Sequence, residues 1–173
     1  MDDRQVSDLM PEDAQAVRDI QRETWLDTYP NKDAGITRED VLAKVEEMSG
    51  SEGVSKIAQK ISQDKTSRGW IIKINGKSIG FIGVEKTKDR GVIDGLHVLP
   101  EYQNIGIGTV LMQKALEWLG GGEIKLDVVS YNQKAINFYK KFGFVENGPT
   151  ENDPVYFQSG ELLPKIEMTK VVI

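Results

Sequence analysis

The chain has 173 residues, 39% of them hydrophobic and 28% charged, a balance that suits one water-soluble globular domain spanning 1–173 and is too apolar for a disordered chain. Its 22 basic and 27 acidic residues leave a net charge of −5, which disfavours a non-specific grip on nucleic-acid phosphate and weakly favours cationic ligands. The absence of cysteine and the single histidine exclude disulfides, thiolate metal sites and a cysteine nucleophile, and make a Ser/His triad or a His-rich zinc site hard to build.

Residues 11–24 read as an amphipathic helix: Pro11 suits the first turn, Glu12 and Asp13 suit the positive end of the dipole, and Ala14, Val17, Ile20 and Trp25 form one stripe. A break follows at Tyr29, Pro30 and Asn31. Thr37 with Asp40 then opens a second helix carrying Val41, Leu42, Val45 and Met48, and Val54 to Asp64 continues helical after Gly50 and Gly53. From Trp70 the period changes. Trp70–Ile74 and Ile79–Val84 are strands joined at Asn75-Gly76, a strong hairpin signal, and Val92–Val98 completes an antiparallel meander. Ile107, Val110, Leu111, Ala115, Leu116 and Leu119 recur at helical spacing until Gly120-Gly121-Gly122. Ile124–Val129 is the next strand, and Ser130 and Asn132 cap a helix that buries Ala135, Ile136, Phe138, Tyr139 and Phe142 and closes at Gly143. This crossover makes 92–98 and 124–129 parallel neighbours. Phe144–Glu146, Val155–Gln158 and Ile166–Val172 are read as antiparallel edge strands. The expected class is α+β around a mixed, mostly antiparallel sheet.

The segment 1–10 is polar and acidic and no apolar run approaches the roughly 18 to 20 residues that span a bilayer. A cytoplasmic protein with no membrane or nucleic-acid partner is therefore expected.

The stretch 99–109, between a strand and an amphipathic helix, has the character of an anion cradle. The first amides of a helix lack intrahelical acceptors, and glycine lets a phosphate approach the backbone. Neither a Gly-Lys-Ser/Thr P-loop nor a G-x-G-x-x-G dinucleotide fingerprint is present. Gln103-x-x-Gly106-x-Gly108 instead resembles the Gln/Arg-x-x-Gly-x-Gly/Ala signature of the GNAT (Gcn5-related) N-acetyltransferases. Leu96-His97-Val98-x-Pro100 is similar to that family's Leu-Tyr-Val-x-Pro strand, and Asn132-x-x-Ala135-x-x-Phe138-Tyr139-x-x-Phe142-Gly143-Phe144 to its second cofactor motif. The likeness covers residues 70–147 closely. The segment 24–29 loosely resembles spermidine and polyamine acetyltransferases.

The resemblance implies a GNAT fold in which a splayed parallel strand pair receives acetyl-CoA, with no metal. Leu96, His97 and Val98 would offer backbone groups to the pantetheine arm, and Gln103, Asn104, Ile105, Gly106, Ile107, Gly108 and Thr109 would hold the pyrophosphate, chiefly through amides. Asn132 is either a pantetheine ligand or a helix cap, or both. Tyr139 is the implied general acid, since a phenol of ordinary pKa near 10 is still protonated at pH 7; on composition alone an aromatic on that apolar face is core. Lys140 and Lys141 are candidates for the outer phosphate or plain surface. An alkylamine is deprotonated only about once in 2,500 molecules at pH 7, so a base is wanted. Many relatives carry a Glu six residues before Val98, where this chain has Val92. Asp94, of the same strand parity as Val92, is the candidate base, directly or through water, whereas His97 is expected on the opposite face. Glu23, Trp25, Asp27 and Tyr29 are candidates for an acidic and aromatic acceptor wall, with Trp25 equally readable as core.

The expected activity is acetyl transfer to a primary amine in a direct ternary complex. The acceptor is a small molecule, a polyamine first and a protein amino group second, and a homodimer is left open. The alternative is a catalytically silent acetyl-CoA sensor of the same fold.

Overall fold

The computed structural model describes residues 3–63 and 65–173. Its strands are β1 (Arg4–Asp8), β2 (Ser67–Ile74), β3 (Lys77–Lys86), β4 (Arg90–Val98), β5 (Gly122–Val129), β6 (Val145–Thr150) and β7 (Lys165–Val172), and its helices α1 (Ala14–Thr28), α2 (Arg38–Ser49), α3 (Ser51–Gln63), α4 (Ile107–Leu119) and α5 (Gln133–Lys141). The strands form one sheet in the order β1-β2-β3-β4-β5-β7-β6. Every pair is antiparallel except β4 with β5, as expected for strands joined through a helix.

The β2–β3 turn has Asn75 at φ 51° and Gly76 at φ 81°, the left-handed pair that a two-residue hairpin requires. Thr37 caps α2 by accepting from the Asp40 amide at 3.1 Å while the Asp40 carboxylate accepts from Thr37 N–H at 3.0 Å, which satisfies two otherwise orphaned donors. At the α2–α3 junction a β-carbon on Gly53 would lie 1.9 Å from the Met48 carbonyl oxygen. Only glycine lets α3 start this close behind α2, so the helix opens at Ser51 rather than Val54. Its expected end at Asp64 falls outside the described residues, as do Met1 and Asp2.

One face of the sheet carries α4 and α5 and the other carries α1 to α3. On the first, Ile107 and Leu119 of α4 sit against Gly80 and Gly91. On the second, Thr24 of α1 reaches His97 of β4. The main core runs through both layers, with Ile71, Ile72, Ile79, Ile82, Leu111, Met112 and Met168 almost fully buried. A second cluster of Trp25, Leu26, Ile36, Val41, Val45, Val129, Phe157 and Leu163 joins α1 and α2 to the end of β5.

Three expectations change. The polar N-terminal segment contributes β1, an exposed edge strand whose side chains show almost no burial alternation, and so leaves no period-two signature. Val155–Gln158 is no edge strand. It makes only the isolated Tyr156–Leu162 bridge, because Pro154 before it and Gly160 and Pro164 after it turn the chain back, and Phe157 plugs into the second cluster. Finally, β7 is internal, inserted between β5 and β6. It carries the fully buried Met168, whereas β6 is mostly exposed and holds Gly148 and Pro149, residues suited to an edge.

Candidate functional site

The parallel pair β4–β5 is hydrogen-bonded only from Arg90↔Glu123 to Ile93↔Leu126. Beyond that point the two strands part, although β4 stays paired with β3 up to Val98 and β5 with β7 up to Val129. A register shift explains the divergence. Gly83 faces Gly95 and Val84 faces Ile93, so Asp94 is an extra residue bulged out of the β3–β4 ladder. A bulge bends its strand and increases the twist, and this one lies where β4 leaves β5. The result is a cleft in the sheet edged by the β5-facing backbone groups of Asp94–Val98.

The bulge also resets which residues share a face, and here the expectation for His97 is corrected. His97 pairs with Phe81 and stacks on it at 5.2 Å between ring centroids, and it reaches Thr24 of α1. It therefore lies on the helix α1–α3 face with Val92 and Asp94, not opposite them. Simple alternation fails because one residue too many separates position 92 from position 97. The Thr24 hydroxyl lies 3.1 Å from the Gln21 carbonyl and meets His97 Nδ1 at 2.9 Å. Burial pulls the His97 pKa down to about 4, leaving the imidazole neutral at pH 7. Asp94, exposed, lies 3.5 Å from Lys60 of α3. Val92 is half-buried and offers no polar group.

At the far end of β4 the chain passes Pro100–Tyr102 in a 3₁₀ turn and enters α4. Asn104 (φ 63°) and Gly106 (φ 89°) are both left-handed, which curls the backbone into a concavity over the first turn of α4. Among the described residues none accepts a hydrogen bond from the amides of Gly106, Ile107, Gly108 and Thr109; the first helical bond is Val110 N–H to the Gly106 carbonyl at 3.1 Å. Nothing lies within 4 Å of where a Gly106 β-carbon would stand, so the loop is open to solvent at that residue. The concentration of donors at a positive dipole end is an anion site in waiting. Gly108 has a different job. A β-carbon there would meet the Phe138 ring at 3.4 Å and Leu96 at 4.0 Å, so its bareness seats α5 against α4. The Ile107 side chain is buried and anchors the turn, while Ile105, Asn104 and Thr109 are exposed.

Gln103 does not aim at the concavity. Its amide donates to the Val98 carbonyl at 2.9 Å and its side-chain oxygen accepts from Lys134, tying the loop to β4 and α5. Lys134, in the first turn of α5, thus stands beside Gln103 at the start of the loop and adds a positive charge that motif reading passed over. A lysine one turn ahead of Phe138 and opposite the glycine loop was the available signal. Lys140 is held instead by Glu146 at 2.6 Å at the other end of α5, and Lys141 is exposed.

Asn132 caps α5, its Oδ1 accepting from the Ala135 amide at 3.2 Å. Tyr139 is only 7% exposed, packed edge-on against Phe138 and Phe144, and burial raises its pKa to about 12. The Tyr29 phenol, from the other face of the sheet, is pushed up first by burial and then by the proximity of Tyr139 and Tyr131. Tyr131 Oη donates to the Tyr29 carbonyl at 2.6 Å. The three phenols thus lie in one neighbourhood.

The acceptor wall suggested by Glu23, Trp25, Asp27 and Tyr29 is not assembled as one surface. Trp25 is 9% exposed in the second cluster and stacks on Tyr29 at 4.8 Å. Asp27 points to solvent and Glu23 pairs with Arg22 at 2.8 Å. Helical spacing turns 25 and 29 inward and 23 and 27 outward. Among the described residues no cluster of His, Asp or Glu is arranged to hold a metal ion.

Residues 14–144 match the acetyltransferase (GNAT) family model. The chain belongs to the GNAT family. Within it, the chain is 32% identical over 87 residues to an uncharacterized N-acetyltransferase of Methanocaldococcus jannaschii, covering 44% of this chain and 38% of that one. It is 31% identical over 93 residues to the N-alpha-acetyltransferase of Sulfurisphaera tokodaii, covering 44% and 56%. The chain thus spans about half or less of the length of these curated relatives. Among solved structures, the PaiA N-acetyltransferase of Thermoplasma acidophilum in complex with coenzyme A superposes with a TM-score of 0.75 at 22% identity, covering 98% of this chain and 99% of that one. The seven-stranded sheet with one parallel pair is the GNAT fold. No helix among the described residues is long and apolar enough to cross a membrane.

Proposed function

We propose that this GNAT protein is an acetyl-CoA-dependent N-acetyltransferase that moves an acetyl group to a primary amine by direct attack. The observation that carries the reading is the coincidence of two hydrogen-bonding surfaces: the unmet amides of Gly106–Thr109 and the edge of β4 around Leu96, beyond its last pair with β5. Their spacing along one strand and loop suits a ligand with a diphosphate at one end and an amide-bearing arm at the other. Bound acetyl-CoA supplies an acyl carbon activated as a thioester. The chain's residues do the remainder.

In this reading the Leu96–Val98 backbone aligns the arm, Asn132 steadies it from the α5 cap, and one β4 amide donates to the carbonyl oxygen as it gains charge. Asp94 takes the amine proton, directly or through water. As the C–N bond forms and the C–S bond breaks, Tyr139 donates its hydrogen to the leaving sulfur. Its raised pKa keeps it protonated at any physiological pH, and it recovers the hydrogen from solvent, so that an alkylammonium yields an amide, a thiol and one released proton. No covalent acetyl carrier is invoked, in keeping with the absence of cysteine.

The test is thiol release from acetyl-CoA over a panel of amines, with binding measured separately by calorimetry. Turnover on at least one amine that falls about 100-fold in Tyr139→Phe, at unchanged coenzyme A affinity, is the expected result. Tight coenzyme A binding with no turnover on any amine would instead make the chain a binding module.

A further inference from the structure

A cavity of about 440 Å³ lies on the α1–α3 face of the sheet, between α3 and strands β2 to β4. Its volume is within the ~300–1,000 Å³ range of small-molecule sites. Leu9, Val17, Ile57, Ile61 and Phe81 wall it with apolar surface. Its floor is hollow because two glycines, Gly83 and Gly95, are paired directly across β3 and β4. A β-carbon on Gly83 would have Asp94 Cβ at 3.9 Å as its nearest neighbour, so the space above that strand is open.

One end of the cavity coincides with the cleft. Asp94 and Gly95 line it, and they open the stretch of β4 that has left β5. His97 Nε2 leans over the same glycine, 3.1 Å from where its β-carbon would be. On the other face of the strand, the next residue, Leu96, packs toward Gly108 and Phe138. The cavity and the phosphate-loop side are thus separated by one strand's thickness, and that strand is no longer paired with β5 there.

The charges around the cavity restrict its occupant. Asp94 faces Lys60 at 3.5 Å at the cleft end, and Asp8 binds Arg68 at 3.0 Å near the other end. A single ammonium can displace the long Lys60–Asp94 contact. A second ammonium farther in would meet apolar walls, or an Asp8 carboxylate whose two oxygens Arg68 already holds at 3.0 and 3.2 Å, so its desolvation is poorly compensated.

We infer that this cavity is the acceptor site and that it takes a primary monoamine on an apolar body, such as an arylalkylamine, with its nitrogen toward Asp94 and its body between α3 and β3. The inference rests on the acetyltransferase reading for the reaction but not for the binding, so the two are tested separately. 2-Phenylethylamine is titrated by calorimetry into the protein saturated with coenzyme A, and its turnover is compared with that of spermidine. Gly83→Leu fills the cavity from β3, and Ile57→Trp fills it from α3 in case the strand variant does not fold.

The expected result is saturable phenylethylamine binding that weakens at least tenfold in either folded filling variant, with coenzyme A affinity within twofold of wild type. In turnover, kcat/KM for phenylethylamine exceeds that for spermidine at least tenfold, and the variants raise KM for it rather than lower kcat. Folded filling variants that bind phenylethylamine like wild type overturn the proposal, as does a wild-type protein that prefers spermidine. Amine binding that responds to filling while no amine is ever acetylated upholds the site and instead removes the acetyltransferase reading.

Discussion

Gly106→Asp separates the fold of the phosphate loop from its ligand. In the free protein a β-carbon at 106 has nothing within 4 Å, and the residue is exposed. The cost is the left-handed backbone at φ 89°, about 1 kcal/mol for a β-carbon and less for Asp than for most residues. In a chain of this size that lowers Tm by about 2–4 °C. With a diphosphate on the Gly106–Thr109 amides, the new carboxylate stands about 5 Å from a phosphate charge, and at an effective dielectric near 20 the repulsion is about 3 kcal/mol. Coenzyme A affinity should therefore fall roughly 100-fold or more. Gly106→Ala shares the backbone strain without the charge and should lose no more than about fivefold. Calorimetric titration with coenzyme A, beside thermal melts of all three proteins, provides the measurement. A folded Gly106→Asp protein with wild-type affinity refutes the assignment of the anion to this turn.

Other consequences follow from particular contacts. Tyr139→Phe should leave the melting temperature nearly unchanged, because among the described residues the hydroxyl makes no hydrogen bond, while turnover drops; equal kcat in mutant and wild type removes the phenol from proton transfer. His97 has a folded pKa near 4 against about 6.5 unfolded. Its contribution is fully present above pH 6.5 and is lost as pH falls through the folded value, a change on the order of 3 kcal/mol. Urea midpoints of His97→Gln should consequently fall less steeply than wild type from pH 6.5 to 4, and an identical slope in both proteins contradicts the depressed pKa. Gly53→Ala forces a β-carbon to 1.9 Å from the Met48 carbonyl oxygen, so chemical denaturation should show a loss of more than about 2 kcal/mol; a loss below 0.5 kcal/mol means the α2–α3 junction is built otherwise.

Much of the fold is legible residue by residue. Asn75-Gly76 can be little other than a tight hairpin, Thr37 with Asp40 announces a helix start, and the spacing of Ile107, Leu111, Ala115 and Leu119 fits only a helix with one buried side. These signals survive because they are local: each rests on backbone dihedrals, capping or a repeat that a few neighbouring residues settle among themselves. The exposed strand β1 had no such signal, since only Val6 of its residues is even partly buried and a single inward side chain imposes no alternation.

The order of strands and the anatomy of the cleft belong to another class. That β7 slides between β5 and β6 depends on which segment can bury Met168, a comparison of distant parts of the chain. The same holds at the site. Sequence alone determined that a glycine-bearing loop precedes α4 and that Tyr139 lies on the buried side of α5. Only the tertiary structure decided that Asp94 is bulged, because a bulge exists only relative to the partner strand β3, and that one extra residue brought His97 to the face of Asp94, parted β4 from β5 and left Gly83 and Gly95 as the floor of a cavity.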